Sequence, residues 1–213
     1  ERFIVAPLGA APRFHPRTDD ELRSVLLSHG VEPRGYFLCV GTLEPRKNLL
    51  QALRAHALLP ESMRQQFPLL IVGMAGWKTE QLNEELRKRM LEGTVCLLGY
   101  LSDEHVAQLI AGARALIFPS LYEGFGLPVL EAMASGTPVI VTRRSAMPEV
   151  AGAAGNYIEP HDLNGLRDAM SRLVDDQTHW QACREAGLQQ ARLFSWNRCA
   201  TLTARAYRQA LGG

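Results

Sequence analysis

Glu123 and Glu131 bracket a segment that carries two glycines and a proline, Gly124-Phe125-Gly126-Leu127-Pro128. The apolar run before it, 115–118, ends at Pro119 and reads as a buried parallel strand. Pro128 stands where the first turn of a helix begins, which suits proline because the N–H there has no helical partner. The helix runs on through Ala134 and Gly136 closes it. A strand, a glycine turn and a helix start together present free backbone N–H groups and the positive end of a helix dipole, which is an anion site. Neither carboxylate suits a phosphate, but each can accept hydrogen bonds from hydroxyl groups. Phosphate-binding amides between two hydroxyl-binding carboxylates describe a nucleotide sugar, in which a diphosphate joins a ribose to a sugar. The same residues also read as an ordinary helix N-terminus with a glutamate near its dipole.

A second anion-facing corner follows the first strand. Gly41-Thr42-Leu43-Glu44-Pro45-Arg46-Lys47-Asn48 puts adjacent cations in a loop that leads into a helical run. Arginine offers a planar fork for phosphate oxygens and lysine a compact charge. Taken alone, an Arg-Lys pair reads as readily as a solvated surface. Ligands of open α/β sheets bind at the carboxyl ends of strands, so this corner and the Glu123–Glu131 turn are expected to face one crevice. The loop Gly99-Tyr100-Leu101-Ser102-Asp103 belongs to the same edge. Ser102 or Asp103 caps the next helix, and Tyr100 and Leu101 are candidates for covering a nucleobase. Residues 142–150 lie on that edge too and read as a loop that supports the site from behind or faces its diphosphate side, with no role assigned to Arg143 or Arg144.

These corners need a scaffold, and the hydrophobic pattern supplies one. Residues 36–40, 69–72, 95–98, 115–118 and 139–141 are continuous apolar runs, with Tyr157-Ile158 a weaker sixth. Helical stretches alternate with them at 48–59, 79–91, 103–113, 127–135 and 163–174, preceded by one at 19–28. The alternation predicts an α/β fold, a doubly wound parallel sheet of Rossmann-like type with all strand-to-helix loops along one edge. Residues 1–16, with Pro7, Gly9, Pro12 and Pro16, read as a hinge entering from another domain; 17–193 form the sheet domain. Two helical stretches follow in the tail, broken near Phe194-Ser195-Trp196, and Ser195 is the expected N-cap of the second. Residues 194–213 are expected to lie across the sheet domain or to pack toward a neighbouring domain, with Trp180, Phe194 and Trp196 as packing anchors.

Composition excludes several classes. With 23 basic and 22 acidic side chains, the charge balance makes no case for nucleic acid. No apolar run reaches the roughly 18 residues of a membrane span. Cys39, Cys96, Cys183 and Cys199 form no Cys-x-x-Cys pair and read as buried, reduced thiols, which fits a cytoplasmic setting. The six histidines are scattered without metal-ligand spacing, so no metal and no cofactor are expected. There is no Walker loop, no dinucleotide fingerprint at the first strand and no nucleophile elbow.

The stretch Glu123-Gly124-Phe125-Gly126-Leu127-Pro128-Val129-Leu130-Glu131 resembles the Glu-x7-Glu motif of retaining nucleotide-sugar glycosyltransferases with the GT-B fold, the family 4 (group 1) enzymes. The loop 41–48 is similar to that family's phosphate loop. Gly136-Thr137-Pro138-Val139-Ile140, Pro148-Glu149-Val150 and the Phe194-Ser195-Trp196 helix entry follow in the family's order. The resemblance covers the C-terminal, donor-binding half, and implies that an acceptor-binding N-terminal domain precedes Glu1 and that this half alone is inactive. It implies that Arg46 and Lys47 hold the donor diphosphate and act in catalysis with Glu123, which binds hydroxyls of the transferred sugar. Gly41, Thr42, Tyr100, Leu101 and the amides of Gly124, Phe125, Gly126 and Leu127 would complete the donor site, with Glu131 on the ribose. Many members carry arginine where this chain has Thr42, so one phosphate contact is absent or comes from Arg46. The loop resembles that of bacterial mannosyltransferases of surface polysaccharide assembly. That makes GDP-mannose the expected donor and a glycan or lipid-linked molecule the acceptor, in the cytoplasm or at the inner face of the membrane. A non-catalytic nucleotide-binding or interaction module of similar fold is the alternative.

Overall fold

Side-chain alternation along the apolar runs sets the architecture, because the inner strands are covered on both faces. The computed structural model describes residues 3–74, 76 and 80–211. Strands Phe37–Val40 (β1), Leu69–Val72 (β2), Val95–Gly99 (β3), Ala115–Phe118 (β4), Val139–Thr142 (β5) and Gly155–Ile158 (β6) form one six-stranded parallel sheet in the order β3-β2-β1-β4-β5-β6. Phe37, Cys39, Leu69, Ile71, Ala115, Ile117 and Ile140 point to one face; Leu38, Leu70, Val72, Leu116, Phe118, Val139 and Val141 point to the other. Each fully buried large apolar side chain of this kind stabilises the fold by about 1.5–3 kcal/mol.

Helices Asp19–Ser28 (α1), Asp103–Gly112 (α5), Leu127–Ala134 (α6) and Gln177–Ala191 (α9) contribute to the second core. Leu49–Ala57 (α2), Glu80–Leu91 (α4) and Leu163–Asp175 (α8) cover the first, and the short helices Glu61–Gln66 (α3) and Met147–Ala151 (α7) lie in connections. Arg114, just before β4, donates to the carbonyls of Leu173 at 2.6 Å and Val174 at 3.2 Å, satisfying the C-terminal end of α8. Trp180 is buried there, its indole N–H donating to the Arg114 carbonyl at 2.8 Å. The strand order reverses direction between β1 and β4, so the loops leaving those two strands diverge and open a crevice.

The strands fall where the apolar runs predict them, β6 included. Three expectations need correction. The helix expected over 48–59 starts at Leu49, because Asn48 adopts a left-handed conformation (φ 53°) between a short 3-10 turn and α2. Trp196, expected as an anchor, is half exposed at 48%, on a final helix Trp196–Leu211 (α10) that has no buried residue. Only Cys39 of the four thiols is buried; the other three lie on the edge strand β3, on α9 and on α10, where cover is incomplete, and all four are free. Thr79, expected to open α4, lies outside the described residues.

Candidate functional site

Both corners lie at the reversal point. From β1 the chain turns through Gly41 and Thr42 into a 3-10 turn, Pro45–Lys47, which aims two consecutive cations toward the loop leaving β4. Lys47 Nζ donates to Glu123 Oε1 at 2.7 Å, and Arg46 Nη1 donates to Oε2 at 2.9 Å. Each oxygen of Glu123 therefore holds one cation, although the carboxylate is only 9% exposed. Arg46 also pairs with Glu44 at 2.7 Å. The Arg46 guanidinium loses some proton affinity to desolvation, but Glu123 and then Glu44 outweigh that and raise it above its ordinary range. The Lys47 ammonium sits 4.9 Å from the Phe118 ring centroid, which adds a weak cation–π attraction.

The β4 loop is held by its neighbours. The Leu121 N–H donates to the Arg46 carbonyl at 2.8 Å, and the Glu123 N–H donates to Ser145 Oγ at 3.0 Å. Thr142 Oγ1 donates to the Ser120 carbonyl at 2.5 Å, and Asn48 Nδ2 donates to Pro119 at 3.3 Å. Gly126 serves as N-cap of α6 with φ 96°, a conformation costly for other residues. A Cβ there would also lie 2.3 Å from Met147 Cε. Glycine thus sets where α6 begins.

A hollow of about 470 Å³ opens beside this corner, lined by Gly41, Thr42, Tyr100, Leu101 and Glu131. Gly41 joins the two halves of the site: a Cβ on it would lie 3.3 Å from Lys47 Cε, while its own backbone borders the hollow that contains Glu131. Burial pushes the Glu131 carboxyl up to about 7; Asp103 adds to the rise and Arg13 opposes it. Tyr100 is 75% exposed at the rim. Phe125 turns away from the hollow, its ring edge-to-face with Phe194 at 5.9 Å. Gly124 is exposed and Leu127 half-buried at the head of α6. Arg143 lies over the Tyr157 ring at 4.4 Å.

Sequence reasoning placed residues 142–150 at this edge but did not single out the side chains there that hold these groups in place. Ser145, in a left-handed conformation (φ 47°), Thr142 and Met147 reach the β4 loop from a distant segment, and nothing local marks them. Asp103 belongs to the hollow, and Ser102 is the cap, accepting from the His105 N–H at 3.4 Å. Among the described residues no three His, Cys, Asp or Glu side chains cluster into a metal-holding group.

A family model described as "Glycosyl transferases group 1" matches residues 28–190, most of the chain and all of the site apart from the entry segment. The chain belongs to this family. As a group 1 glycosyltransferase sequence it is 37% identical over 208 residues to the O-antigen chain mannosyltransferase B of Escherichia coli, covering 98% of this chain and 55% of that protein. It is 35% identical over 217 residues to the MMP alpha-(1->4)-mannosyltransferase of Mycolicibacterium hassiacum, covering 99% of this chain and 49% of that one. The chain thus spans about half the length of the curated relatives it matches. Among solved structures, HepE from Anabaena in complex with UDP and glucose superposes with a TM-score of 0.80 at 19% identity, over 96% of this chain and 56% of that one. The Rossmann-like sheet of this chain is that of the C-terminal domain in GT-B glycosyltransferases.

Proposed function

We propose that this chain is the donor-binding half of a retaining glycosyltransferase that takes a hexose from a nucleoside diphosphate sugar, with GDP-mannose the first choice of donor. The observation that carries it is the pair of cations, Arg46 and Lys47, held by Glu123, with Gly41 between Lys47 and the hollow that contains Glu131. The names of the two mannosyltransferase relatives support mannose, and the UDP and glucose of HepE support a nucleotide sugar as the class.

In this reading the donor diphosphate lies against Lys47 and Arg46 and the head of α6. As the bond from sugar to diphosphate breaks, negative charge grows on the leaving phosphate, and two prepositioned cations stabilise it where it develops. Glu123 accepts hydrogen bonds from sugar hydroxyls and Glu131 from the ribose, with Tyr100 and Leu101 beside the base. Transfer requires an acceptor, a glycan or lipid-linked molecule held by a second domain on the N-terminal side. The setting is surface polysaccharide synthesis at the inner face of a bacterial membrane; no described helix is long and apolar enough to cross one.

Titration calorimetry with GDP, UDP and their sugars tests the reading. Binding of GDP-mannose in preference to UDP-glucose is expected, and no heat with any of them would overturn it. Transfer that survives Lys47→Ala and Glu131→Ala in a protein carrying both halves would favour the non-catalytic module instead.

A further inference from the structure

The segment that enters the sheet domain furnishes one wall of the Glu131 hollow. Arg13 and Phe14 line it together with Asp103 and Glu131. Several contacts seat the segment. Arg13 pairs with Asp103, and Arg17 pairs with Glu104 at 2.5 Å, both across to α5. Arg17 Nη2 also donates to the Arg13 carbonyl at 3.3 Å, with the Arg17 side chain only 11% exposed. The Phe14 N–H donates to the Ala11 carbonyl at 3.0 Å, and the Phe14 ring packs on the core.

We propose that Arg13 is a positioning residue of the nucleotide site: from the entry segment it pairs with Asp103 and so relieves the repulsion between the two carboxylates of the hollow, leaving Glu131 as the acceptor for ribose hydroxyls. The inference rests on the donor-site reading above. A protonated carboxyl becomes a donor and loses acceptor capacity, so a second hydroxyl is left without a good partner. The charges that face Glu131 come from other elements, because α6 carries no other ionisable side chain. Asp103 on α5 opposes ionisation and Arg13 on the entry segment favours it; Tyr100 stands at the rim, and Lys47 lies beyond Gly41 on its pairing with Glu123. Arg13 is placed to neutralise Asp103 and attract Glu131 at once. The segment that leads in from the N-terminal side thereby becomes part of the binding chemistry.

The test is calorimetric binding of GDP-mannose and UDP-glucose to this chain from well below to well above pH 7. Nucleotide sugars are used because their esterified diphosphates, unlike a terminal phosphate with its second pKa of about 6, do not titrate in this range. Affinity of the unaltered chain is expected to rise with pH as Glu131 ionises. Arg13→Ala should move the midpoint of that rise upward and weaken binding at neutral pH by about 3–10-fold. Asp103→Asn should move it downward, Arg13→Lys should restore it, and Glu131→Gln should flatten the profile. A uniform loss of affinity at every pH in Arg13→Ala, with the midpoint unmoved, would overturn the proposal as a merely structural effect. Thermal melting checks each variant, and if Arg13→Ala does not fold, the opposite shifts expected of Arg13→Gln and Asp103→Asn carry the test. Weakened binding in Lys47→Ala with no midpoint shift in the Arg13 variants would sink this inference alone; no binding by the unaltered chain would sink both it and the donor-site reading.

Discussion

Glu123 and Glu131 sit at either end of the same glycine turn, and their surroundings have opposite character. Glu123 is buried with a cation on each oxygen, so its charge is neutralised before any ligand arrives. Glu131 is half-buried beside Asp103, with Arg13 as the cation that opposes the rise, and burial pushes its carboxyl up to about 7. The first corner is therefore preorganised for exchange of one anion for another: an arriving diphosphate competes with, or shares, cations already fixed in place. The second is desolvated but not neutralised, which suits neutral hydroxyl donors and is costly while empty. A ligand with a charged middle and neutral hydroxylated parts matches both.

Removing Lys47, whose stem lies against Gly41 where the two corners meet, should have the largest effect. Lys47→Ala is expected to weaken binding of nucleoside diphosphates by about 10²–10³-fold, read by calorimetry; a change below threefold would mean that the Glu123 corner is only a structural ion pair. Glu123→Gln separates the two roles. It releases the cations, so inorganic pyrophosphate should bind as well as before or about threefold better, while transfer in a protein with both halves falls by about 10²-fold. Parallel losses in both measurements would contradict the anion-exchange view.

Glu131→Gln addresses the other corner through stability. The folded carboxyl binds its proton more tightly than the unfolded one, whose pKa is near 4.5. Stability contributed by that proton is present below 4.5 and is lost as pH rises toward 7. The ionised group then costs the empty domain on the order of 1–2 kcal/mol, discounted for partial exposure. Glutamine should raise Tm by about 3–6 °C above pH 7 and leave it unchanged near pH 4, measured by thermal melting. An equal gain at both pH values would show that packing, not the proton, was responsible. The smallest effect is expected at the turn between the corners: Gly126→Ala forces a side chain into a left-handed conformation against the movable end of Met147 and should cost about 1 kcal/mol in denaturant unfolding.

Much of this was legible along the chain. Val139-Ile140-Val141 is a strand because a run buried on both faces has no polar alternative, and Pro128 after a double-glycine turn marks a helix start at any location. Expectation and structure part where cover comes from elsewhere. Trp196 looks like an anchor by type, yet α10 finds too little of this chain to pack against. Cys96 sits in an apolar run that turned out to be the sheet's edge. Ser145 carries no local sign that it would hold the Glu123 N–H across 22 positions.

What the sequence by itself determined was the set of elements and the kind of chemistry at their ends, because hydrophobic period, helix capping and glycine turns act within a few residues. Only the tertiary structure decided how that chemistry is divided between two carboxylates of one residue type. Charge pairing and desolvation depend on distances across the fold, from Arg46 to Glu123 and from Arg13 to Asp103. Spacing along the chain does not carry those distances; the reversal of strand order between β1 and β4 creates them.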